Sequence, residues 1–345
     1  MHGYNTIINN MDPLTQGIVG ATATQSFSKK NHLLLLTIIG FLAGLAPDID
    51  IFIKSENDPL LFLEFHRQFT HSLVFIPIGG LICAFVFYHL FAKKSNLSFR
   101  NTYLFSTIGY GSHGIIDTCT TYGTQLYWPF SDTRLAWNTV SVIDPLFTIP
   151  VIILCLLTLF KKNKQFAYYA IAWMLTYQSI AYNQKQRAEE IVSKYAINLG
   201  HDIESIEAKP SFANIIVWKV IYSDKQNYYV NAIRLGTSHT IYNGESIKKI
   251  NIKKDYPWLK SKSQQARDLE RFRWFSNGYL GVDKNNKNII YDIRFSGIPN
   301  ETEGLWGIEL DSNKSENDHI SYITNRKKNI NRYPILLNMI FNNEH

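Results

Sequence analysis

Apolar residues are concentrated in the first half of the chain, where polar loops separate long apolar runs. A full crossing of a bilayer needs about 20 such residues. The first two runs fall short of that length, and the other four are candidates for spanning helices. The pattern predicts six helical segments: Asp12–Phe27, Leu33–Pro47, His71–Ala92, Thr102–Thr118, Asp144–Phe160 and Phe166–Tyr182.

The second half has the pattern of a soluble domain. Two stretches of alternating apolar and polar residues flank Ser223–Gln226, which is typical of a β-hairpin. Further elements are a helix over Ile191–Gly200, a helix over Ser263–Ser276, and strands over Asn214–Tyr222, Asn227–Leu235, Ile289–Phe295 and Gly304–Leu310. We therefore expect a mainly α protein: a membrane-embedded helical bundle over 11–184, followed by a small α+β or mostly β soluble domain over 185–345.

Composition and charge narrow the class of protein. Hydrophobic residues make up 46% and charged residues 18% of the chain, so there is ample apolar surface to bury, which excludes general disorder. The net charge is +7, but the basic residues form no stripe within a recognisable nucleic-acid module. We expect membrane lipids, and no nucleic acid, as partners. The three cysteines show no metal-type spacing and predict no disulfide framework.

Basic clusters in alternate loops predict the orientation of the bundle. They follow the first, third and fifth segments, and the positive-inside rule makes their side cytoplasmic. Their members are Lys29, Lys30, Lys93, Lys94, Arg100, Lys161, Lys162 and Lys164. The loops 48–70 and 119–143 and the soluble domain then lie on the outer face of a multi-pass protein.

Short polar motifs at the segment ends carry the candidate chemistry. His113 and Asp117 are four residues apart, so a helix places them on one face, where both could reach one metal or Asp117 could orient the imidazole. A plain hydrogen bond at the helix end is an equal alternative. The Asp-Pro pairs at Asp12 and Asp144 are typical helix starts.

Two further motifs lie at the outer ends of the second and third segments. His66 and His71 are five apart, so we expect His66 on the incoming loop and His71 in the first helical turn. Asp48 and Asp50, two apart in an extended stretch, would point to opposite sides, one as a ligand and the other as a bridging or orienting group. Asp48 at a helix C-terminus opposes the helix dipole, which favours a cation partner.

Taken together, these residues predict a metal centre. The candidate ligands, all on one face of one bundle, are Asp48, Asp50, His66, His71, His113 and Asp117. Such a mixed set suits Zn²⁺, Mn²⁺ or Fe²⁺. Five or six ligands are also enough for a pair of ions.

The motifs resemble those of the YdjM-like (DUF457) bacterial inner-membrane metal-dependent hydrolases. The resemblance is dense over residues 11 to about 160 and rests on the stretches 11–15, 47–50, 66–72, 109–117, 121–125, 128–130 and 144–145. It implies a location in the bacterial inner membrane and a divalent metal, with Zn²⁺ favoured. The family in turn resembles, remotely, the all-helical zinc phospholipase C and P1 nuclease group.

One position departs from the family pattern. The family commonly has His after the Thr of the first motif, where this chain has Gln16. An amide oxygen is a poor zinc ligand, so three outcomes stay open: weak binding of one metal, a reduced site, or loss of catalysis.

The leading interpretation is a membrane-bound metal-dependent hydrolase. A metal-activated water would attack an ester, with a phosphoester of a lipid or envelope precursor as the favoured anionic substrate. Asp50 and His66 would be ligands or would help as general base, and Arg67 would steady the developing charge. Arg67 and Arg134 are the candidate substrate-binding residues. For Arg134, a loop salt bridge or a lipid headgroup contact is the more frequent role.

Two alternatives come from other classes. The bundle could be a catalytically degenerate scaffold whose soluble domain binds a partner, and such a scaffold need not retain metal. A metal-handling transporter would also place His and Asp within the membrane. A conduction path, however, needs polar residues along its depth, whereas here they cluster at one end.

Overall fold

A computed structural model describes residues 12–325 and 332–341 of the chain. The chain forms two compact units. The first comprises Met1–Ile53, Phe65–Tyr182 and Phe212–Asn214. The second comprises Lys54–Glu64, Asn183–Ser211 and Ile215–His345. Met11, at the start of the motif resemblance, lies outside the described residues.

The first unit is helical. The helices described along this part of the chain are α1 (Pro13–Phe27), α2 (Leu33–Leu45), α3 (Leu61–Phe65), α4 (Ile76–Phe87), α5 (Phe99–Thr118), α6 (Pro145–Lys161) and α7 (Gln165–Asn198). Residues 61–64 of α3 and the end of α7 belong to the second unit. Short 3₁₀ turns over Ala46–Phe52 and Phe69–His71 precede α3 and α4, and a π-helical turn extends α4 through Ala92. Each of the six predicted segments overlaps one of the helices α1, α2, α4, α5, α6 and α7, and α7 continues well beyond the predicted end at Tyr182.

The sequence sets where several of these helices begin. Asp12 caps α1 by accepting the N–H of Leu14, and Asp144 caps α6 by accepting that of Phe147. In both helices proline follows in the first turn, where its missing N–H costs no hydrogen bond. The Asp-Pro pairs are therefore helix starts, as predicted.

Small residues let α1, α2 and α5 approach closely. A Cβ on Gly20 of α1 would lie 2.4 Å from the Gly40 carbonyl oxygen of α2, and a Cβ on Gly109 of α5 would lie 2.7 Å from the same atom. Substitution of either glycine would push the helices apart. Such contacts between small residues are typical of helices that pack within membranes.

Two helical stretches among the described residues are long and apolar enough to cross a membrane, Lys30–Phe52 and Ile76–Ser95. The α6 helix is apolar but shorter. Its outward face is apolar as well, since Ile149 and Ile153 are about half exposed and Phe160 is 77% exposed. Six crossings remain a prediction.

The second unit contains two four-stranded antiparallel sheets, in the orders β1-β2-β3-β4 and β5-β6-β7-β8. The first has β1 (Ser205–Pro210), β2 (Val217–Ser223), β3 (Asn227–Leu235) and β4 (His239–Lys248). The second has β5 (Leu280–Val282), β6 (Ile289–Asp292), β7 (Trp306–Glu309) and β8 (Ser321–Thr324). Among its described residues this unit also contains the helices α8 (Ile252–Asp255), α9 (Gln264–Phe275) and α10 (Tyr333–Phe341).

Several predicted elements of this unit are present. The β2–β3 hairpin turns at Asp224–Gln226, where the Asp224 carboxylate accepts the N–H groups of Gln226 and Asn227. Helix α9 begins after Ser263, whose hydroxyl accepts the Ala266 N–H. The predicted helix over Ile191–Gly200 is instead the end of α7, because Tyr182–Lys194 contains no proline or glycine that would end a helix.

The first sheet buries a lysine. Lys219 on β2 is 4% exposed, and its Nζ donates to Ser296 Oγ and to the Glu301 carbonyl oxygen, both at 2.8 Å. Burial lowers the pKa of Lys219 to about 7, although the charges of Asp292, Glu301 and Glu245 act in the opposite direction. A lysine in the unfolded chain has a pKa near 10.4. Between pH 7 and pH 10.4, Lys219 is therefore protonated in the unfolded chain and mostly deprotonated in the folded one.

This difference predicts that stability rises with pH. Because the folded state gives up the Lys219 proton near pH 7 and the unfolded state keeps it, the free energy of unfolding should increase by about 2 kcal/mol between pH 7 and pH 9. Lys219→Met should remove this increase, and the exposed Lys253→Met should retain it. Chemical denaturation followed by tryptophan fluorescence measures the difference. An equal increase in Lys219→Met and wild type would contradict the assignment.

Candidate metal centre

Three elements of the first unit supply the candidate ligands. The 3₁₀ turn after α2 carries Asp48 and Asp50, the 3₁₀ turn Phe69–His71 carries His71, and α5 carries His113 and Asp117. All except Asp48 are at most 2% exposed, and the Asp48 side chain is 12% exposed. The fold therefore brings these predicted ligands, which are far apart in the sequence, together in one buried cluster.

Four ligand atoms of this cluster surround one point. They are Asp48 Oδ1, His71 Nε2, His113 Nε2 and Asp117 Oδ2. The two imidazole nitrogens are 2.9 Å apart, and they lie 3.5 and 3.4 Å from Asp48 Oδ1. Their distances to Asp117 Oδ2 are 3.3 and 3.6 Å.

These separations fit a small tetrahedral ion. Zinc bonds of about 2.0–2.1 Å to nitrogen and oxygen place neighbouring ligand atoms about 3.3 Å apart. Asp48 Oδ1 is buried and has no hydrogen-bond partner among the described residues, which is costly unless a cation satisfies it. Both the geometry and the donor atoms therefore fit a divalent metal.

Hydrogen bonds fix the imidazoles with Nε2 toward this point. His113 Nδ1 lies 2.6 Å from the Gly44 carbonyl oxygen, so Nδ1 must carry the proton. His71 Nδ1 lies 2.9 Å from Thr70 Oγ1 and 3.2 Å from Asp50 Oδ2. Since the Thr70 hydroxyl donates to Asp50, His71 Nδ1 also acts as a donor here. Each Nε2 then presents a lone pair, as a metal ligand requires.

Asp50 organises the neighbouring residues. Its Oδ1 lies 2.8 Å from His66 Nδ1, and its Oδ2 accepts the Arg67 backbone N–H at 2.9 Å and the Thr70 hydroxyl at 2.8 Å. Asp50 also contributes, with Asp48 and His66, to a second group whose ligand atoms lie within 4.8 Å of one another. All six predicted ligands thus fall in two adjoining groups.

His66 has one nitrogen to spare. Burial lowers the pKa of His66, which keeps the imidazole neutral although Asp50 acts in the opposite direction. Nδ1 then donates to Asp50, and Nε2 is a buried acceptor with no hydrogen-bond partner in the part of the chain that the structure describes. The His66 ring lies 6.0 Å from the His71 ring, centroid to centroid.

Arg67 is buried next to the candidate ligand Asp117. Its side chain is 0% exposed, and its Nε lies 2.9 Å from Asp117 Oδ2 while Nη1 donates to Thr120 Oγ1 at 2.9 Å. Its guanidinium also lies 5.0 Å from the centre of the Tyr122 ring. The backbone φ of 63° is in the left-handed region, and it allows the Arg67 N–H to reach Asp50.

The second predicted substrate residue, Arg134, holds the loops of this region. Its Nη2 donates to the carbonyl oxygens of His66 and Gly123, at 3.0 and 3.1 Å. Its guanidinium lies 5.4 Å from the centre of the Tyr122 ring. Arg134 thereby fixes the backbone at His66.

Gln16 reaches the cluster from α1. Its Nε2 donates to Asp117 Oδ1 at 2.5 Å, and the residue is 0% exposed. The bond occupies the Asp117 oxygen that faces away from the four-atom group. The four ligand atoms are therefore complete without residue 16.

Two local expectations were wrong. Asp48 and Asp50 lie in a 3₁₀ turn, because Pro47 continues the helical backbone beyond α2. His71 ends its own 3₁₀ turn, and α4 begins five residues later with Pro77 in its first turn. The Thr70 and Gly44 contacts were not predicted, since a threonine hydroxyl and a backbone carbonyl leave no distinctive sequence pattern.

Comparison with known proteins places this arrangement in a family. The YdjM inner membrane protein family matches residues 11–188, which include every ligand of both groups. The chain belongs to this family. A location in the membrane follows from membership of the YdjM inner membrane proteins.

Two curated proteins are similar to parts of this chain. The uncharacterized protein YfhP of Bacillus subtilis (strain 168) is 32% identical over 109 residues, which cover 31% of this chain and 32% of YfhP. The inner membrane protein YbcI of Escherichia coli (strain K12) is 31% identical over 111 residues, which cover 31% of this chain and 62% of YbcI. The chain thus spans about a third of the length of YfhP and about three fifths of the length of YbcI. No solved structure matches it.

The four-atom group predicts metal in the purified protein. Wild-type protein in detergent should retain close to one transition-metal ion per chain, and the double variant His113→Ala/Asp117→Ala should retain almost none, because two of four ligands are gone. Elemental analysis after gel filtration measures the ratio. His89→Ala, an exposed histidine on the π-helical turn, is the matched control. Metal-free wild-type protein after supplementation with zinc would contradict the site.

Proposed function

We propose that this chain is a membrane-bound metal-dependent hydrolase that acts on an ester, with a phosphoester of a lipid or envelope precursor as the favoured substrate. The observation that carries the proposal is the tetrahedral set of Asp48, His71, His113 and Asp117 next to a neutral His66 with a spare nitrogen. A divalent ion bound there would polarise the ester oxygen and lower the pKa of a water molecule.

The residues around the set would have separate roles. His71 and His113 would hold the ion through Nε2, while Asp50 and the Gly44 carbonyl orient their rings. Proton transfer falls to His66, since its Nε2 is an acceptor and Asp50 stabilises the imidazolium that forms. The oxygens of Asp48 and Asp117 complete the set.

We assign Arg67 a supporting role in place of direct substrate binding. Its guanidinium is fully buried against Asp117 and Thr120, so it offsets the charge of the carboxylates from within the protein. Arg134 likewise bonds to backbone carbonyls and holds the His66 loop. An anionic substrate would then be attracted chiefly by the bound ion.

The scaffold and transporter alternatives have less support. A degenerate scaffold follows if Gln16 disables the centre, but Gln16 bonds to the Asp117 oxygen outside the four-atom group. A transporter would need polar residues along the length of the bundle, and the candidate ligands lie on turns and at the end of α5. Measured transport into vesicles would revive the second alternative.

The proposed orientation places the metal centre on the outer face. Helix α2 begins at Leu33, after the turn Lys30–His32, and leads into the Asp48 turn, so its length of about 20 Å separates a basic loop from the centre. The loops after α1 and α6 together line a cavity of about 710 Å³ that includes Lys29, Lys161 and Lys164. The positive-inside rule favours the cytoplasm for this basic end.

Hydrolysis depends on His66 if the proposal is correct. His66→Gln should lower kcat about 100-fold or more, because proton transfer by a positioned side chain contributes that much, and it should leave the metal content unchanged. Full-length protein loaded with Zn²⁺ or Mn²⁺ would be assayed on soluble aryl phosphoesters and on phospholipid vesicles. His89→Gln is the control. Metal-loaded wild-type protein that hydrolyses no phosphoester would refute the proposed activity.

Cysteine labelling tests the orientation. The native cysteines Cys83, Cys119 and Cys155 are buried, so an introduced exposed cysteine reports its own position. Asp132→Cys, in the loop after α5, should react with a membrane-impermeant maleimide in intact spheroplasts. Lys164→Cys, between α6 and α7, should react only after permeabilisation. The reverse labelling pattern would show the opposite orientation. Labelling of both cysteines in intact spheroplasts would contradict the proposal that they lie on opposite sides of the membrane.

A further inference from the structure

The chain between the two metal motifs belongs to the second unit. Asp50 and His66 lie in the first unit, yet Lys54–Glu64, which joins them, is packed with the second. Three residues separate Asp50 from this linking segment, and one residue separates His66 from it. Any force that holds the linking segment therefore acts on both motifs through the backbone.

Arg271 of α9 makes the polar part of this attachment. Its Nη1 and Nη2 donate to the two carboxylate oxygens of Asp58, at 3.0 and 2.8 Å. Its Nε donates to Glu64 Oε1 at 2.5 Å. One guanidinium thus bonds to the middle and to the C-terminal end of the linking segment, and its contact with Asp58 has the paired geometry that makes arginine–carboxylate contacts directional.

Apolar contacts complete the attachment. Leu60 and Leu63 of the linking segment are each 1% exposed. The Phe62 ring packs edge-on against Tyr322 of β8, with 5.3 Å between the ring centroids. Polar and apolar contacts therefore both hold residues 58–64 of the segment.

Arg271 is the residue on which the attachment of the linking segment depends most, because it balances the charge of several carboxylates. Its Nη1 also donates to Asp268 Oδ1 at 2.9 Å, so three carboxylates share this one guanidinium. His319 Nδ1 lies 2.9 Å from Asp268 and 4.0 Å from Asp58. Without Arg271, Asp58 and Glu64 would repel Asp268, and the linking segment would tend to detach.

We propose that Arg271 is a positioning residue for the metal centre, because its bonds to Asp58 and Glu64 hold the linking segment and thereby fix the Asp48–Asp50 turn relative to His66–His71. The inference rests on the proposed metal function. It gives the second unit a defined role, since ligands on loosely held turns must be ordered when the ion binds, and that cost lowers affinity.

Zinc affinity of the full-length protein in detergent tests this role. Arg271→Gln should weaken Zn²⁺ binding about 10-fold in competition with a fluorescent chelator, as expected for loss of an orienting group. Arg273→Gln is the matched control, because Arg273 lies on the same helix and pairs only weakly with Glu270, at 3.4 Å. Asp58→Asn should give a smaller loss. The double variant should bind no more weakly than Arg271→Gln alone, since both changes break the same bond.

Hydrogen exchange of the metal-free protein gives an independent measurement. In Arg271→Gln, amides of 54–64 and of 66–72 should both exchange faster, and in Arg273→Gln neither should. Faster exchange that stops at residue 64, with a zinc affinity within about twofold of wild type, would overturn the inference. If wild-type protein binds no zinc, the proposed function fails. The exchange rates of amides 66–72 in Arg271→Gln would then still show whether Arg271 holds the His66–His71 segment in place. If Arg271→Gln does not fold, Asp58→Asn and Phe62→Leu carry both measurements.

Discussion

In the first unit, three carboxylates lie close together, and Arg67 is the one fully buried arginine beside them among the described residues; this charge imbalance governs the site. Asp48, Asp50 and Asp117 carry three negative charges, and Arg67 supplies one positive charge. With neutral imidazoles the cluster has a net charge of about −2, which burial makes costly. Two imidazole nitrogens 2.9 Å apart add a lone-pair conflict. A divalent cation at the centre of the four ligand atoms resolves both problems at once.

The rest of the first unit can be understood as the scaffold that keeps these groups together. Helix α5 can approach α2 because Gly109 leaves space for the Gly40 carbonyl, and the approach brings His113 to the Gly44 carbonyl. Gly114 has the same effect on the other side, since a Cβ there would lie 2.4 Å from the His71 carbonyl oxygen. The close packing that suits membrane helices is thus also the packing that aligns the ligands.

Local patterns could be predicted from the sequence, and contacts between distant segments could not. The i,i+4 spacing put His113 and Asp117 on one helix face, and the polar residues between two alternating runs marked the β2–β3 hairpin. Arg67 is buried with a left-handed backbone, and no feature of the sequence predicts a positive φ at this position. The segment Lys54–Glu64 belongs to the second unit, where it bonds to Arg271, more than 200 residues away.

Gln16 shows why the role of a residue depends on which atom it contacts. The motif resemblance places a histidine at this position, and a glutamine there suggests a lost ligand. In the structure the Gln16 amide donates to Asp117 Oδ1, while Oδ2 faces the other three ligand atoms. A side-chain N–H that fixes Oδ1 orients the carboxylate, so that Oδ2, which also pairs with Arg67 Nε at 2.9 Å, faces the other candidate ligand atoms. Gln16 therefore keeps Asp117 oriented, and the group of four candidate ligands does not include residue 16.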